Sequence, residues 1–196
     1  MFDKKQIEKN INWLLTNGSP PVAYLTHRDL LDTDPGSREM KDLWEKVKNQ
    51  DEVSHIFSRQ QTDGSWCTSG PWAAPASYLP QSGYTPVSPK YVTTAWILPI
   101  LGDMGFTAED IRIKRACDYI LSYQEESGFI SEERDVTRYD PRFQNPCRFS
   151  VTLIALGKAG AGNDPRVKKA CDLLVKWQRQ DGGWAFSEHY IQRRWT

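Results

Sequence analysis

The sequence has no long hydrophobic run and no excess of charge of either sign. No apolar stretch approaches the roughly 20 residues that a membrane-spanning helix needs, so we expect no membrane span. The charged start, MFDKKQIEKN, is followed by no hydrophobic segment, and a secretory signal is therefore not expected. The 25 Lys and Arg residues equal the 25 Asp and Glu residues, which argues against a nucleic-acid binder or a polybasic membrane-surface protein.

Paired cysteine motifs are also lacking. The four cysteines, Cys67, Cys117, Cys147 and Cys171, stand far apart, and no CxxC pair occurs among them. This spacing argues against a disulfide framework or a zinc ribbon and favours a reducing compartment, so we expect a cytoplasmic protein. What the chain does contain is aromatic residues, with 8 Trp and 8 Tyr among its 196 residues. This length suits one domain or at most two small ones, and we expect a single domain over 1–196.

A repeat organises the second half of the chain. Residues 112–124 read RIKRACDYILSYQ and residues 166–178 read RVKKACDLLVKWQ, an offset of 54 positions. In both copies the apolar residues recur three and four positions apart, which predicts an amphipathic helix with one face towards a core. Cys117 and Cys171 occupy equivalent positions on that face, so both are expected to be small core residues.

Each copy ends in a glutamine, a glycine turn and an aromatic residue, a segment that we call a terminator. The three terminators read QQTDGSW from residue 60, QEESGF from residue 124 and QRQDGGW from residue 178. The glycine suits the left-handed conformation just past a helix, the glutamine can bridge open backbone groups, and the aromatic ring can cover that amide and pack on the next repeat. We interpret the following residues as scaffold: Gln60, Asp63, Gly64, Trp66, Gln124, Gly128, Phe129, Gln178, Asp181, Gly182 and Trp184.

Periodicity and capping signals predict an all-α chain of about eight helices, arranged as helical hairpins with long irregular loops. The predicted helices span residues 3–16, 20–31, 37–48, 51–60, 91–104, 108–124, 148–159 and 164–179. Residues 1–50 diverge from the repeat, whereas residues 51–184 carry it. The loops are residues 67–90, which are rich in Pro and aromatic residues and are expected to pack on the helices, and the charged residues 125–146.

The paired helices closed by Gln-x-x-Asp-Gly-x-Trp resemble the repeats of the terpenoid cyclase and protein prenyltransferase superfamily, which includes squalene-hopene cyclases. The resemblance implies an α/α toroid, here incomplete, with residues 91–104 and 148–159 as inner helices. It also implies a central cavity lined by aromatic residues that accommodates an isoprenoid. The candidate ligand-binding residues are Trp72, Tyr78, Tyr84, Tyr91, Trp96 and Arg148. An open inner face would favour a homodimer or a lipid-like ligand.

The catalytic signatures of that superfamily are missing from the sequence. Neither an Asp-x-Asp-Asp acid motif nor an aspartate-rich DDxxD diphosphate motif occurs. Where the resemblance implies an Asp-x-Cys zinc pair, the chain has Asn145-Pro146-Cys147. No cofactor is therefore expected; zinc held by Cys147 and His189 is the less favoured alternative to a buried or half-buried Cys147.

Three functions stay open on the sequence. The first is binding of an isoprenoid or other apolar ligand without cyclase chemistry. The second is an active terpene cyclase or prenyltransferase-type enzyme, for which Asp140 and Cys147 are the catalytic candidates. The third is a helical-repeat protein-interaction module. Of the histidines, His27 is interpreted as a surface residue and His55 as a packing residue.

Overall fold

A computed structural model of the chain describes residues 3–66, 70–72, 92–131 and 146–184. Over these residues the secondary structure is helical, with one isolated bridge between Gln124 and Ile130. The helices are α1 (Lys4–Asn17), α2 (Pro20–Asp29), α3 (Arg38–Lys48), α4 (Asp51–Ser58), α5 (Thr94–Asp103), α6 (Ile111–Leu121), α7 (Pro146–Lys158) and α8 (Pro165–Lys176), with a 3-10 turn at Ala161–Asn163. The all-α prediction is confirmed, whereas the toroid arrangement stays a prediction.

Local capping explains where the repeat helices begin. Asp110 precedes α6 and accepts a hydrogen bond from the backbone nitrogen of Arg112 at 2.9 Å. Asp164 does the same for the nitrogen of Arg166 at 2.8 Å, and Pro165 occupies the first position of α8. Aspartate side chains satisfy amide groups that a first helical turn leaves open, and proline suits that turn because it has no amide hydrogen to satisfy.

The chain divides into two compact units. The first comprises Met1–Arg59 with Asp103–Phe106, and the second comprises Gln60–Gly102 with Thr107–Thr196. In the first unit the Trp44 ring lies 5.0 Å from the Tyr24 ring and 4.8 Å from the Phe106 ring, between ring centroids. Such aromatic contacts add specific packing to the burial of apolar surface. The prediction of a single domain stays a prediction.

In the second unit, α5 to α8 enclose an apolar core. Its fully buried side chains include Leu98, Ile113, Ile120 and Leu156. The turns of the two hairpins meet through the backbone, since the nitrogen of Ala108 donates to the carbonyl oxygen of Ala159 at 2.8 Å. Burial of one helix face from each repeat copy is the main favourable contribution to folding here.

The first two terminators each join a glycine turn to the first turn of a later helix, α6 or α8. Gln60 Nε2 donates to the carbonyl oxygens of Gly64 and of Arg112 in α6, both at 2.9 Å. Gln124 Nε2 donates to the carbonyl oxygen of Gly128 at 3.1 Å and to that of Arg166 in α8 at 2.7 Å. One side-chain amide thus links the carbonyl oxygen of its own turn to a carbonyl oxygen in the first turn of another helix.

The glycines of these turns are required by conformation and by space. Gly64 and Gly128 have φ angles of 93° and 98°, in the left-handed region. A side-chain carbon at Gly64 would also lie 2.5 Å from the Arg115 carbonyl oxygen and 2.8 Å from the Ala116 nitrogen. The turn therefore packs directly against the backbone of α6, which only glycine permits.

The third terminator adopts the same local turn without that packing. Gly182 has a φ angle of 84°, and Gln178 Nε2 donates to the Gly182 carbonyl oxygen at 2.9 Å. Apart from its chain neighbours, no atom of the described residues lies within 4 Å of the side-chain position at Gly182. The Trp184 indole donates to the Leu174 carbonyl oxygen at 2.7 Å, but the residue stays 44% exposed. The prediction that its ring packs on a next repeat stays a prediction, because the residues that follow Trp184 lie outside the described ranges.

Two repeat positions predicted to be equivalent differ in burial. Cys117 is buried in the core, as expected from its place on the apolar face of α6. Cys171, at the equivalent place in α8, is exposed, so its prediction as a core residue is wrong. The first turn of α8 contacts the α6 copy through Asp118 and Gln124, and no counterpart of it lies against α8 in the described part of the chain.

A charged network links α6 to α8. Arg166 donates to Asp164 at 2.7 Å and to Asp118 at 2.8 Å, and Lys114 donates to the other Asp118 oxygen at 2.6 Å. Hydrogen bonds from Lys114 and Arg166 lower the pKa of Asp118 below its usual range. Hydrogen bonds to Asp164 and Asp118 raise the pKa of Arg166. The ionised carboxylate of Asp118 is therefore favoured in the folded state.

We expect Gly64→Ala to destabilise the chain much more than Gly182→Ala. Both changes place a side chain at a left-handed φ, at a cost of about 1 kcal/mol. Only Gly64→Ala adds a clash with the backbone of α6, so its loss of unfolding free energy should be at least about twice as large. Urea unfolding followed by circular dichroism measures both, and equal losses would contradict the packing of the turn on α6.

We expect Asp118→Asn to lower stability at neutral pH but not in acid. Because its folded pKa is depressed, Asp118 contributes stability above its unfolded pKa and loses that contribution as pH falls through its folded pKa. The urea midpoints of the wild type and the variant should differ at about pH 7 and converge towards about pH 2. Asp172→Asn, at the equivalent position of α8, is the matched control and should leave the midpoint unchanged at both values.

Candidate functional site

Three of the predicted ligand-binding residues lie together, and we call them the tryptophan cluster. Trp72 and Trp96 stand nearly perpendicular, with ring centroids 5.9 Å apart and an interplanar angle of 80°. The guanidinium carbon of Arg148 lies 5.4 Å from the centroid of the Trp72 ring. Edge-to-face aromatic pairs and a cation over an indole face are both favourable arrangements.

Hydrogen bonds to two helices hold the short segment that carries Trp72. Its indole nitrogen donates to Thr152 Oγ1 on α7 at 3.0 Å, and the Thr152 hydroxyl donates to the Arg148 carbonyl oxygen at 2.9 Å. The carbonyl oxygen of Pro71 accepts from the nitrogen of Ala95 in α5 at 2.9 Å. The short segment 70–72 is thus attached to both predicted inner helices, as expected for the part of the 67–90 loop that is described.

The beginning of α5 supports the same cluster. Thr94 Oγ1 accepts a hydrogen bond from the nitrogen of Trp66 at 3.0 Å, which ties the first terminator to this helix. Thr93 is fully buried, and its hydroxyl has no hydrogen-bond partner within the described ranges. Buried hydroxyls usually have a hydrogen-bond partner, and none of the described residues provides one for the Thr93 hydroxyl.

The three side chains of the tryptophan cluster differ in how exposed they are. Trp72 is 6% exposed and is therefore the buried member of the cluster, on which the other side chains pack. Trp96 and Arg148 are only half-buried. An incoming apolar chain can contact the Trp96 ring, and the Arg148 guanidinium is of the right type to bind an anionic group.

The structure does not bring every candidate residue to this place. Tyr78, Tyr84, Tyr91 and the catalytic candidate Asp140 lie outside the described residues. Cys147, the second catalytic candidate, is exposed at the beginning of α7, next to Arg148. The interpretation of Cys147 as buried or half-buried is wrong, because its side chain lies on the outward side of the first turn.

The described residues do not fit a zinc site. Among them, no group of three or more His, Cys, Asp or Glu side chains is placed to hold a metal ion. The suggested ligand His189 lies outside the described ranges. An exposed cysteine by itself does not provide the four-coordinate donor set that structural zinc requires.

Sequence reasoning missed Thr152, which orients Trp72. The residue is almost fully buried on the apolar side of α7, where a threonine must satisfy its hydroxyl. A polar residue at an apolar helix position, one turn after Arg148, was the available signal.

A concave surface lies in the first unit. This groove, of about 530 Å³, is lined by Leu15, Ala23, His27, Arg38, Glu39, Asp42, Leu43 and Lys46. His27 Nδ1 lies 3.1 Å from Thr33 Oγ1, and His27 Nε2 lies 3.5 Å from Glu39 Oε1. His27 thus links the loop after α2 to the beginning of α3. The two histidine interpretations are reversed, since His27 is half-buried and His55 is exposed.

The lengths of the helices and a comparison of the chain with known proteins give two further findings. None of the helices that the structure describes is both long and apolar enough to cross a bilayer. No family model and no curated protein matches the chain.

We expect the described cysteines to react unequally. Burial raises the pKa of the Cys117 thiol to about 12, so it is protonated and shielded at ordinary pH, whereas Cys147 and Cys171 are exposed. Iodoacetamide followed by peptide mass spectrometry should modify Cys147 and Cys171 in the folded chain and Cys117 only after denaturation. Rapid native labelling of Cys117 would contradict the packing of α6.

Proposed function

We propose that the chain is a prenyltransferase- and squalene-cyclase-like repeat protein that binds an isoprenoid or other apolar ligand at the tryptophan cluster. The observation that carries the proposal is the perpendicular pair of Trp72 and Trp96 with the Arg148 guanidinium over one ring. These side chains come from separate parts of the chain, and the resemblance of the terminators suggested the same three residues for a ligand.

The chemistry of the cluster suits a ligand with an apolar chain and an anionic end. Indole faces offer polarizable apolar surface, which favours an unsaturated hydrocarbon over water. A guanidinium binds phosphate oxygens through parallel hydrogen bonds, which suits a diphosphate. Thr152 fixes the Trp72 ring beforehand, so less side-chain freedom is lost when a ligand binds.

Binding without cyclase chemistry accounts best for the sequence. Olefin protonation requires a carboxylic acid kept protonated by its surroundings, and the Asp-x-Asp-Asp motif that supplies it in the superfamily is missing. The proposal includes a cytoplasmic location, for which the unpaired cysteines are the argument. It also includes a homodimer that covers the open inner face implied by the resemblance.

The proposal predicts that one substitution weakens binding of the apolar chain of the ligand and another weakens binding of its anionic end. Titrations of the full chain with farnesol and with farnesyl diphosphate should both be weakened about tenfold by Trp96→Ala, since one aromatic contact contributes about 1 kcal/mol or more. Arg148→Gln should weaken only the diphosphate. Trp13→Ala, which removes a 63% exposed indole from the other unit, is the matched control and should change neither affinity.

Calorimetry gives the affinities, and native mass spectrometry of the purified chain gives the subunit count and any retained lipid. No binding of either ligand to a folded chain, together with a bare monomer, would contradict the proposal. Conversion of farnesyl diphosphate to product, lost in Cys147→Ala or Asp140→Ala, would instead support the enzyme alternative.

A further inference from the structure

We propose that Thr33, His27 and Glu39 form a nucleophilic site in the first unit that hydrolyses esters of short apolar acids. The Thr33 hydroxyl is the nucleophile, His27 is its base, and Glu39 positions the His27 ring. The inference goes beyond the ligand proposed above, because it concerns none of the residues of the tryptophan cluster. The two proposals can therefore fail separately.

The three side chains lie in a continuous series of polar contacts. Thr33 Oγ1 lies 3.1 Å from His27 Nδ1, and Glu39 Oε1 lies 3.5 Å from His27 Nε2. A hydroxyl beside an imidazole, with a carboxylate at the opposite ring nitrogen, is the arrangement that activates a hydroxyl as a nucleophile. The Glu39 carboxylate favours the proton on Nε2, which leaves Nδ1 of the neutral ring as the acceptor for the Thr33 hydroxyl.

The loop between α2 and α3 brings the hydroxyl to the ring. His27 lies in the last turn of α2 and Glu39 in the first turn of α3, with Thr33 between them. The backbone nitrogen of Thr33 donates to the His27 carbonyl oxygen at 3.0 Å, so the two residues are joined through both backbone and side chains. Asp32, just before Thr33, has a φ of 48°, a left-handed conformation that costs free energy for a residue with a side chain.

Burial shields the base and leaves the nucleophile reachable. The His27 side chain is only 13% exposed, and Thr33 is half-buried. Partial exclusion of water strengthens the polar contacts among the three side chains. The arrangement therefore combines an ordered base with a hydroxyl that an incoming molecule can contact.

The groove of about 530 Å³ gives such a molecule a place to bind. His27 and Glu39 both line it, so a carbonyl group held against the His27 ring lies close to the Thr33 hydroxyl. The volume is within the range of small-molecule sites. Apolar side chains that can accommodate a short acyl chain line the same groove: Leu15, Ala23 and Leu43.

The charges of the groove favour a neutral ester as the substrate. Its cations, Arg38 and Lys46, are matched by the carboxylates of Glu39 and Asp42. Arg38 Nε also lies 3.6 Å from Asp42 Oδ2. Because the charges balance, the groove attracts neither anions nor cations strongly. Arg38 and Lys46 are the groups that can stabilise the negative charge developing on the carbonyl oxygen.

The proposed reaction proceeds through an acyl group on Thr33. The Thr33 oxygen attacks the carbonyl carbon while His27 Nδ1 takes the hydroxyl proton, and the tetrahedral intermediate expels the alcohol oxygen, which receives that proton from His27. Water then attacks the acyl carbon and gives a proton to His27. The carboxylic acid leaves, and the Thr33 oxygen regains the proton from His27. One ester and one water thus become one acid and one alcohol.

Hydrolysis of p-nitrophenyl butyrate by the full chain tests the site, with the absorbance of p-nitrophenolate as the readout. We expect saturable turnover, and mass spectrometry after acid quenching should find the butyryl group on Thr33. Thr33→Val, which keeps the side-chain shape, and His27→Gln should each lower kcat/KM at least about a hundredfold. Thr33→Ser should retain turnover. His55→Gln, which removes an exposed imidazole of the same unit, is the matched control and should change nothing.

Glu39→Gln tests the positioning role. Glutamine keeps an oxygen that can accept from Nε2 but loses the charge that stabilises the imidazolium, so kcat should fall about tenfold or more with KM unchanged. Circular dichroism verifies the fold of each variant, and the adduct on Thr33 of the unmodified sequence tests the proposal even where a variant fails to fold. No turnover, turnover insensitive to Thr33→Val, or a butyryl group on residues other than Thr33 would overturn the proposal.

Discussion

A single type of hydrogen-bonded connection orders the repeats of this protein. In the first two terminators the side-chain amide of the glutamine donates both to the carbonyl of its own glycine turn and to a carbonyl in the first turn of α6 or α8. The carbonyl oxygen of a buried glycine turn needs a partner, and a carbonyl oxygen in a first helical turn has a second lone pair that can accept from the glutamine besides the bond within its own helix. The glutamine pairs those groups across two elements, so that turn and helix are positioned together.

The glycine of the turn makes this connection feasible. With no side-chain carbon, Gly64 brings the turn against the backbone of α6 at a distance that any larger residue would prevent. The approach also places Trp66, whose backbone nitrogen donates to Thr94 at the beginning of α5. The same terminator contact that positions α6 therefore contributes to positioning α5, the helix that carries Trp96.

Comparison of the two repeat copies separates the effect of local sequence from that of tertiary packing. The copies in α6 and α8 have the same aspartate cap, the same cysteine position and the same type of terminator turn, yet Cys117 is buried and Cys171 is exposed. Since the local sequences are so similar, the difference arises from what lies against each copy.

Local signals in the sequence determined the eight helices, each within three residues of its predicted ends, the glycine turns and the aspartate caps. These features depend on periodicity, backbone conformation and neighbours within one turn, all of which a sequence contains. Only the tertiary structure decided that Trp72, Trp96 and Arg148 meet, that Thr152 orients the cluster, and that His27 is more enclosed than His55. Those outcomes depend on which distant helix covers a given face, and residues with identical local surroundings in the sequence can differ in that respect.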